Sequence, residues 1–415
     1  MRTLKIHIKA RHPDYQEACR QMKESKLLYN QTNFLARQTY FYFCKKKYQL
    51  TGNKTVDDWI LAGNYNGNVF GFEKLRTVLN AKLRLNSQVV QRIFRQLAND
   101  WQSYFKLKKT GLHAKIPNYK QFDYNIVSYS LQRISKKSLR KGFIRPTGFK
   151  HGVQLPNWFD IKSIQACSLV CQNGKIWLLV QYKEPQAKQV KGKNIAAIDF
   201  GVNDLVAMVY SDKSSPVVIK EKRIKTWNQE WNKTVAKQTE NKKHFWSKFL
   251  DRVTSKRNLR VEQIINRTAN VIVQNLLKHE VGLLILGKNV GWKQKVHIGK
   301  RNTQNFVQIP FAKLANNIAY KAQAYGIKVV FQEESYTSKA SFVSQEFIPS
   351  FDKDNPNKKH KFVGKRVKRG VYKDGDVTIH ADINAAFNIM RKNIKNNAID
   401  FWKNKTNIQP LGLAI

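Results

Sequence analysis

Acidic residues are scarce in this chain: 28 Asp and Glu stand against 75 Lys and Arg in 415 residues, a formal net charge of +47. The imbalance runs along the whole sequence rather than one tail, which points to a polyanionic partner held over a large surface. Cysteine is scarce too. Four cysteines make no disulfide framework, and Cys167 and Cys171 fall in a strand-like run with no second Cys or His pair beside them. Long apolar runs are also missing. None could span a bilayer, and Met1-Arg2-Thr3-Leu4-Lys5 opens no signal-peptide pattern, so no membrane partner is expected and a reducing cytoplasm fits. With 42% hydrophobic residues, the chain can still build two or three domains with real cores.

What is present falls into two textures. Leu4 to Ile8 alternates apolar and polar residues as a half-buried strand does, and helical spacing takes over after Pro13. From Ser87, a candidate N-cap, a stripe of Val90, Ile93, Phe94, Leu97, Trp101 and Phe105 predicts a helix whose polar face carries Arg84, Arg92, Arg95 and Lys106. After Pro117 come short strands and basic loops such as Lys136 to Lys141. Cys167 to Cys171, Asn173-Gly174 and Ile176 to Val180 read as a hairpin within a small β-barrel. Residues 185 to 194 look like a domain boundary.

The second half alternates strands and helices. Strands are expected at 195–199, 205–210, 281–286 and 327–332, and helices at 311–325 and 383–392. A basic helical region, 227–278, interleaves Trp227, Trp231 and Trp246 with lysines, rings that fit either base stacking or core packing. Three early strands, then helix, strand, helix, strand and helix, is the order an RNase H-like α/β fold requires.

That fold converges carboxylates on divalent metal, and two are in place: Asp199 closes a strand-like run, and Asp382 stands in the first turn of a distant helix. Hydrolysis of a phosphodiester by two metals roughly 3.5 to 4 Å apart needs more than two acids. The strand where a third is expected ends instead in Gly287-Lys288-Asn289. Either the chain binds without cutting, or the acid has moved to the next strand, which runs into Glu333-Glu334-Ser335-Tyr336-Thr337-Ser338. Neighbouring strands lie about 4.8 Å apart, within a glutamate's reach. Successive strand residues face opposite ways, so only one of the pair can address the metal; Glu334 is favoured and Glu333 is the fallback. Asp204, Asp212, Asp374 and Asp376 read as turn residues.

Taken together, Ile198 to Asn203, Gly287-Lys288-Asn289 with Trp292-Lys293-Gln294, Gly299-Lys300-Arg301-Asn302 with Gln304-Asn305-Phe306, Glu333 to Ser341, Gly364 to Gly370 and Ala381 to Ala386 resemble the TnpB family, transposon-encoded RNA-guided DNA nucleases related to type V CRISPR effectors. The resemblance implies an α/β RNase H-like (RuvC) nuclease domain over 191–415, preceded by an N-terminal β-barrel wedge domain (1–12 and 118–190) interrupted by an α-helical recognition domain (13–117). It implies a structured guide RNA, a double-stranded DNA target with a short adjacent motif, R-loop formation, and one RNA on a monomer. It further implies magnesium, with manganese as a substitute, on Asp199, Glu334 and Asp382, and nucleic-acid contacts from Lys288, Trp292, Lys293, Lys300, Arg301, Lys365, Arg366, Lys368 and Arg369. The chain departs from the family between Tyr336 and Asp382. With no cysteine after Cys171, segment 342–378 cannot form the usual zinc ribbon; no structural zinc is expected, and a basic loop takes its place. A nuclease-inactive, RNA-guided DNA-binding repressor is the alternative that Gly287 raises.

Overall fold

The computed structural model describes residues 2–45, 52–63, 79, 83–111, 114–172, 174–183, 192–212, 214–240, 247–288, 299–352, 360–368, 370–394 and 407–415. The chain divides into two compact units, Met1–Pro185 and Gln186–Ile415.

In the first unit, β1 (Arg2–Ile8) leads into helices α1 (Tyr15–Lys45), α2 (Lys54–Leu61) and α3 (Ser87–Lys109). The cap of α3 is Asn86 rather than Ser87, because the Asn86 side chain reaches the free N–H of Gln88 at 3.1 Å. The apolar stripe of α3 faces inward, with Trp101 fully buried and its indole N–H donating to Asn33 of α1. After β2 (Val127–Ser130), the expected basic loop is a short helix, α4 (Lys136–Arg140), capped by Ser135. A two-stranded pair, β3 (Phe143–Ile144) with β4 (Val153–Gln154), precedes β5 (Ile164–Gln172) and β6 (Lys175–Tyr182). The main sheet has the order β1-β6-β5-β2, antiparallel throughout, so the first strand returns to pair with the last across the intervening helices. Among the described residues, this is a four-stranded sheet with a separate pair of strands.

The second unit is built on a six-stranded sheet. β7 (Asn194–Asp199), β8 (Asp204–Tyr210) and β9 (Val217–Lys220) form an antiparallel meander. Helices α5 (Arg223–Thr239) and α6 (Lys248–Lys278) lead to β10 (Val281–Gly287), which lies parallel to β7. Helices α7 (Lys300–Gln308) and α8 (Phe311–Ala324) lead to β11 (Lys328–Gln332), parallel to β10. The order β11-β10-β7-β8-β9 is that of an RNase H-like fold, with a short terminal strand added beyond β9.

Alternation along the strands separates two apolar layers. Ala196, Ile198, Leu284 and Leu286 pack with α6 and α8 on one face. Ala197, Ala207 and Ile285 point to the other, where the last helix lies. The insertion before that helix is not the expected loop. It is a meander of β12 (Lys365–Lys368), β13 (Val371–Asp374) and β14 (Val377–His380), turned at Gly370 and Gly375, both at positive φ. Helix α9 (Ala381–Asn393) follows at once, and β15 (Asn407–Ile408) and β16 (Leu411–Gly412) close the two sheets. Among the described residues, no helix is long and apolar enough to cross a membrane.

Candidate active site

Asp199 is the last residue of β7, and alternation turns it to the α9 face together with Ala197. Helix α9 is seated there by two asparagines one turn apart. Asn384 accepts the Phe342 N–H at 2.9 Å and donates to the Ala340 carbonyl at 2.9 Å; Asn388 donates to the carbonyls of Thr337 and Ala340 at 2.9 and 2.7 Å. Both are fully buried, so these bonds fix helix and loop together. The first turn of α9 thereby brings Asp382 to the end of β7. A Cβ placed on Gly201 would come within 3.6 Å of the Asp382 carboxylate.

The two glutamates after β11 take opposite directions. Gln332 pairs with Gly287, and two residues further along the same face Glu334 turns inward, only 8% exposed. Its carboxylate lies over Gly287: a Cβ there would meet Glu334 Cδ and Ile389 Cδ1, each at 2.8 Å. Glu333 turns away, bonded to Lys392 Nζ at 2.6 Å and to the Ser335 N–H at 2.6 Å. Burial alone would lift the Glu333 pKa, but these bonds outweigh it and lower it.

The inward acids titrate differently. Burial, reinforced by the Asp199 and Glu333 charges, pushes Glu334 up to about 9. Burial and the Asp382 charge push Asp199 up to about 7, against the Phe200 N–H and Arg366. Burial also raises Asp382, although Arg366 on β12 holds it at 3.2 Å. Charge repulsion links Asp382 to Asp199 and Asp199 to Glu334 in a site short of positive charge, although the ligand atoms of these three do not all lie within 4.8 Å of one another and the Asp382 side chain is 19% exposed.

Asp204, read from sequence as a turn residue, instead opens β8 and is buried. It sits 3.2 Å from His380 Nε2, and the hydrogen bond from His380, against the opposing effect of burial, lowers its pKa. Ligand atoms of Asp204, His380 and Asp382 all lie within 4.8 Å of one another, the one group of three this close among the described residues. Sequence reasoning missed both partners, although a histidine two residues before Asp382 was a visible signal.

The expected nucleic-acid contacts divide. Lys365, Arg366 and Lys368 are exposed on β12. Lys288 is exposed, its ammonium 5.0 Å over the Phe331 ring. Trp292, Lys293 and Arg369 lie outside the described residues, as does Trp246; of Lys300 and Arg301 only the backbone, at the start of α7, is described. Trp227 and Trp231 pack against α6: Arg260 lies over Trp227 at 5.5 Å, Arg257 over Trp231 at 4.6 Å, and the Trp231 indole donates to Thr254 at 2.8 Å.

Residues 178–293 match the OrfB_IS605 family model, described as a probable transposase, and residues 311–389 match the Cas12f1-like TNB domain. Solved structures with a similar fold include the cryo-EM structure of a Cas12f1-sgRNA-target DNA complex, 15% identical, covering 89% of this chain and 81% of that one with a TM-score of 0.50. A match to the cryo-EM structure of a CRISPR-Cas12f ternary complex is 16% identical over 90% and 82% of the two chains, with a TM-score of 0.35. No curated protein matches the sequence.

Proposed function

Because this chain is a TnpB-like relative of the type V effectors, we propose that it is an RNA-guided DNA endonuclease. In this reading a structured guide RNA is bound by one copy of the chain, a short motif beside the target is read on duplex DNA, and base pairing opens an R-loop. DNA phosphodiesters are then hydrolysed at the acid cluster of the second unit. The helices of 13–117 and the strands of 118–190 would hold the guide and the duplex.

The observation that carries the reading is the Glu334 carboxylate lying over Gly287, buried, with the Asp199 charge acting on it. In this reading the acid missing from β10 would be supplied from the turn after β11. The donor set suits a hard divalent cation, since three carboxyls whose charged forms burial penalises would regain them beside positive charge. Asp199, Glu334 and Asp382 would hold magnesium, or manganese in its place. Such an ion supplies a lowered water pKa and stabilisation of the charge that develops on the phosphate. The chain's own contribution is orientation: Asp204 and His380 brace the start of α9, and Arg366 brings a cation to the edge of the cluster, where a phosphate would approach.

The test is cleavage of a plasmid library by the protein purified with RNA from its own locus, in magnesium, beside Asp382→Ala. Cuts that require Asp382 are expected, and they identify the adjacent motif. Guide-dependent binding without cuts would replace this reading with that of a targeting module acting as a repressor.

A further inference from the structure

Glu334 to Thr337 form a tight turn: the Thr337 N–H and hydroxyl both donate to the Glu334 carbonyl, at 3.1 and 2.8 Å. The third position of this turn is Tyr336, at φ 63. A turn of this kind is made for glycine there, and a bulky side chain in the left-handed region is strained. Strain kept at a functional turn is a reason to ask what the ring does.

The ring does not stand alone. His360 lies 4.8 Å from it, edge-on at 69°, Phe362 lies 6.2 Å away, and the Lys339 ammonium is 5.9 Å from its centroid. The three rings are half-buried; Phe347, 86% exposed, follows Glu346, which binds the N–H of Val363, itself 73% exposed. Next in sequence come the exposed cations of β12, including Arg366 at Asp382. An aromatic cluster flanked by lysines and begun two residues from Glu334 has the composition of a stacking platform for an unpaired strand.

We propose that Tyr336, with His360 and Phe362, forms a base-stacking subsite for an unpaired nucleotide next to the scissile phosphate of the DNA strand being cut. The proposal rests on the endonuclease reading. It chooses DNA over guide RNA because the strand that reaches Glu334 is the substrate, and Tyr336 shares its turn. Stacking engages a π-face that every base has, so the subsite orients the strand without choosing its sequence.

The test couples ring to base. Oligonucleotide targets carry one abasic position, stepped through the nucleotides around the cut, and are given to the guide-loaded protein. At one position the missing base should slow wild-type cutting about tenfold or more. In Tyr336→Ala that penalty should vanish while the overall rate falls by a similar factor, and Tyr336→Phe should behave as wild type. Tyr336→Gly, which relaxes the left-handed backbone, separates ring from fold: it should match Tyr336→Ala. An abasic penalty undiminished in both ring-less variants would overturn the proposal, as would loss of guide-RNA binding, which would reassign the rings to RNA. If the wild type holds the intact strand but never cuts, the endonuclease reading fails; the same cycle read as DNA-binding constants then decides the stacking by itself.

Discussion

The carboxylate of Glu334 occupies the space that a side chain at position 287 would need, so Gly287 and Glu334 form a complementary pair across β10 and the turn after β11. Gly287→Ala should therefore displace the acid, because the new methyl meets Glu334 on one side and Ile389 on the other. Cutting is expected to fall about 10- to 100-fold, as when a metal site loses its support. In melting temperature, which does not depend on cutting, Gly287→Ala should cost less in a Glu334→Ala background than alone, since residues in contact are not additive. A fully additive double variant, by calorimetry, would show that the two positions act separately.

Glu333 and Glu334 are neighbours with opposite duties. Glu334→Gln should abolish cutting and leave guide-RNA binding intact. Glu333→Gln keeps a hydrogen-bonding group toward Lys392, but that lysine is 6% exposed and is left with only the Ser335 and Pro349 carbonyls and a neutral amide, so the variant should lower the melting temperature while cutting falls far less than in Glu334→Gln. Equal loss in both variants, measured beside guide-RNA affinity, would mean that the turn and not one carboxylate is what matters.

Much of this was legible in the sequence because alternation is a strict rule. An acid ending the apolar run of β7 must share a face with Ala197, and parity along β11 puts Glu334 on the face of Gln332 and Gly287. The meander was not legible. β12 reads Lys365-Arg366-Val367-Lys368 and is exposed throughout, so it lacks the buried alternation that marks a strand, and its pairing depends on the turn at Gly370 that sets β13, with the buried Tyr372, beside it. Asp204 follows Asn203 in a stretch that reads as a turn. Its role appears only when His380, 176 positions away, is brought to it by the fold.

Without metal, the acid cluster should make stability depend on pH with an unusual sign. Glu334 and Asp199 are lifted to about 9 and about 7, while unfolded carboxyls titrate at about 4. Raised folded values mean that folding favours the protonated forms, so the stability they contribute is complete at about pH 4 and is lost as pH rises through about 7 and then 9. Metal-free protein should melt at lower temperature at pH 9 than at pH 6. Glu334→Gln should lessen the fall, by roughly 2–4 °C for each kcal/mol relieved, and magnesium should lessen it in the wild type. A metal-free melting temperature that is level from pH 6 to 9, by calorimetry, would contradict the burial of these acids.

Asp204 and His380 offer a test of bracing at the start of α9. Asp204→Ala removes the acceptor that holds His380 and should raise the magnesium concentration for half-maximal cutting about 10- to 100-fold. Asp204→Asn still accepts the His380 N–H and should cost less. Unchanged magnesium dependence in Asp204→Ala would remove this pair from the working site.

Arg366 should have effects of opposite sign on metal and DNA. Its guanidinium lies 3.2 Å from Asp382 and favours the charged forms of both Asp382 and Asp199, so in the metal-free site it stabilises the same negative charge that a divalent ion would. Arg366→Ala should therefore bind manganese more tightly at a pH where the acids are ionised, by a modest factor because the arginine is 47% exposed and solvent screens it. Loss of the same cation should weaken DNA binding and lower the salt slope by about one. Cutting should slow despite the tighter metal, because a phosphate approaching Asp382 no longer meets a positive charge. Paramagnetic titration of manganese and DNA-binding isotherms at several salt concentrations separate the two effects. Parallel loss of both affinities would instead mean that Arg366 mainly holds β12 in place.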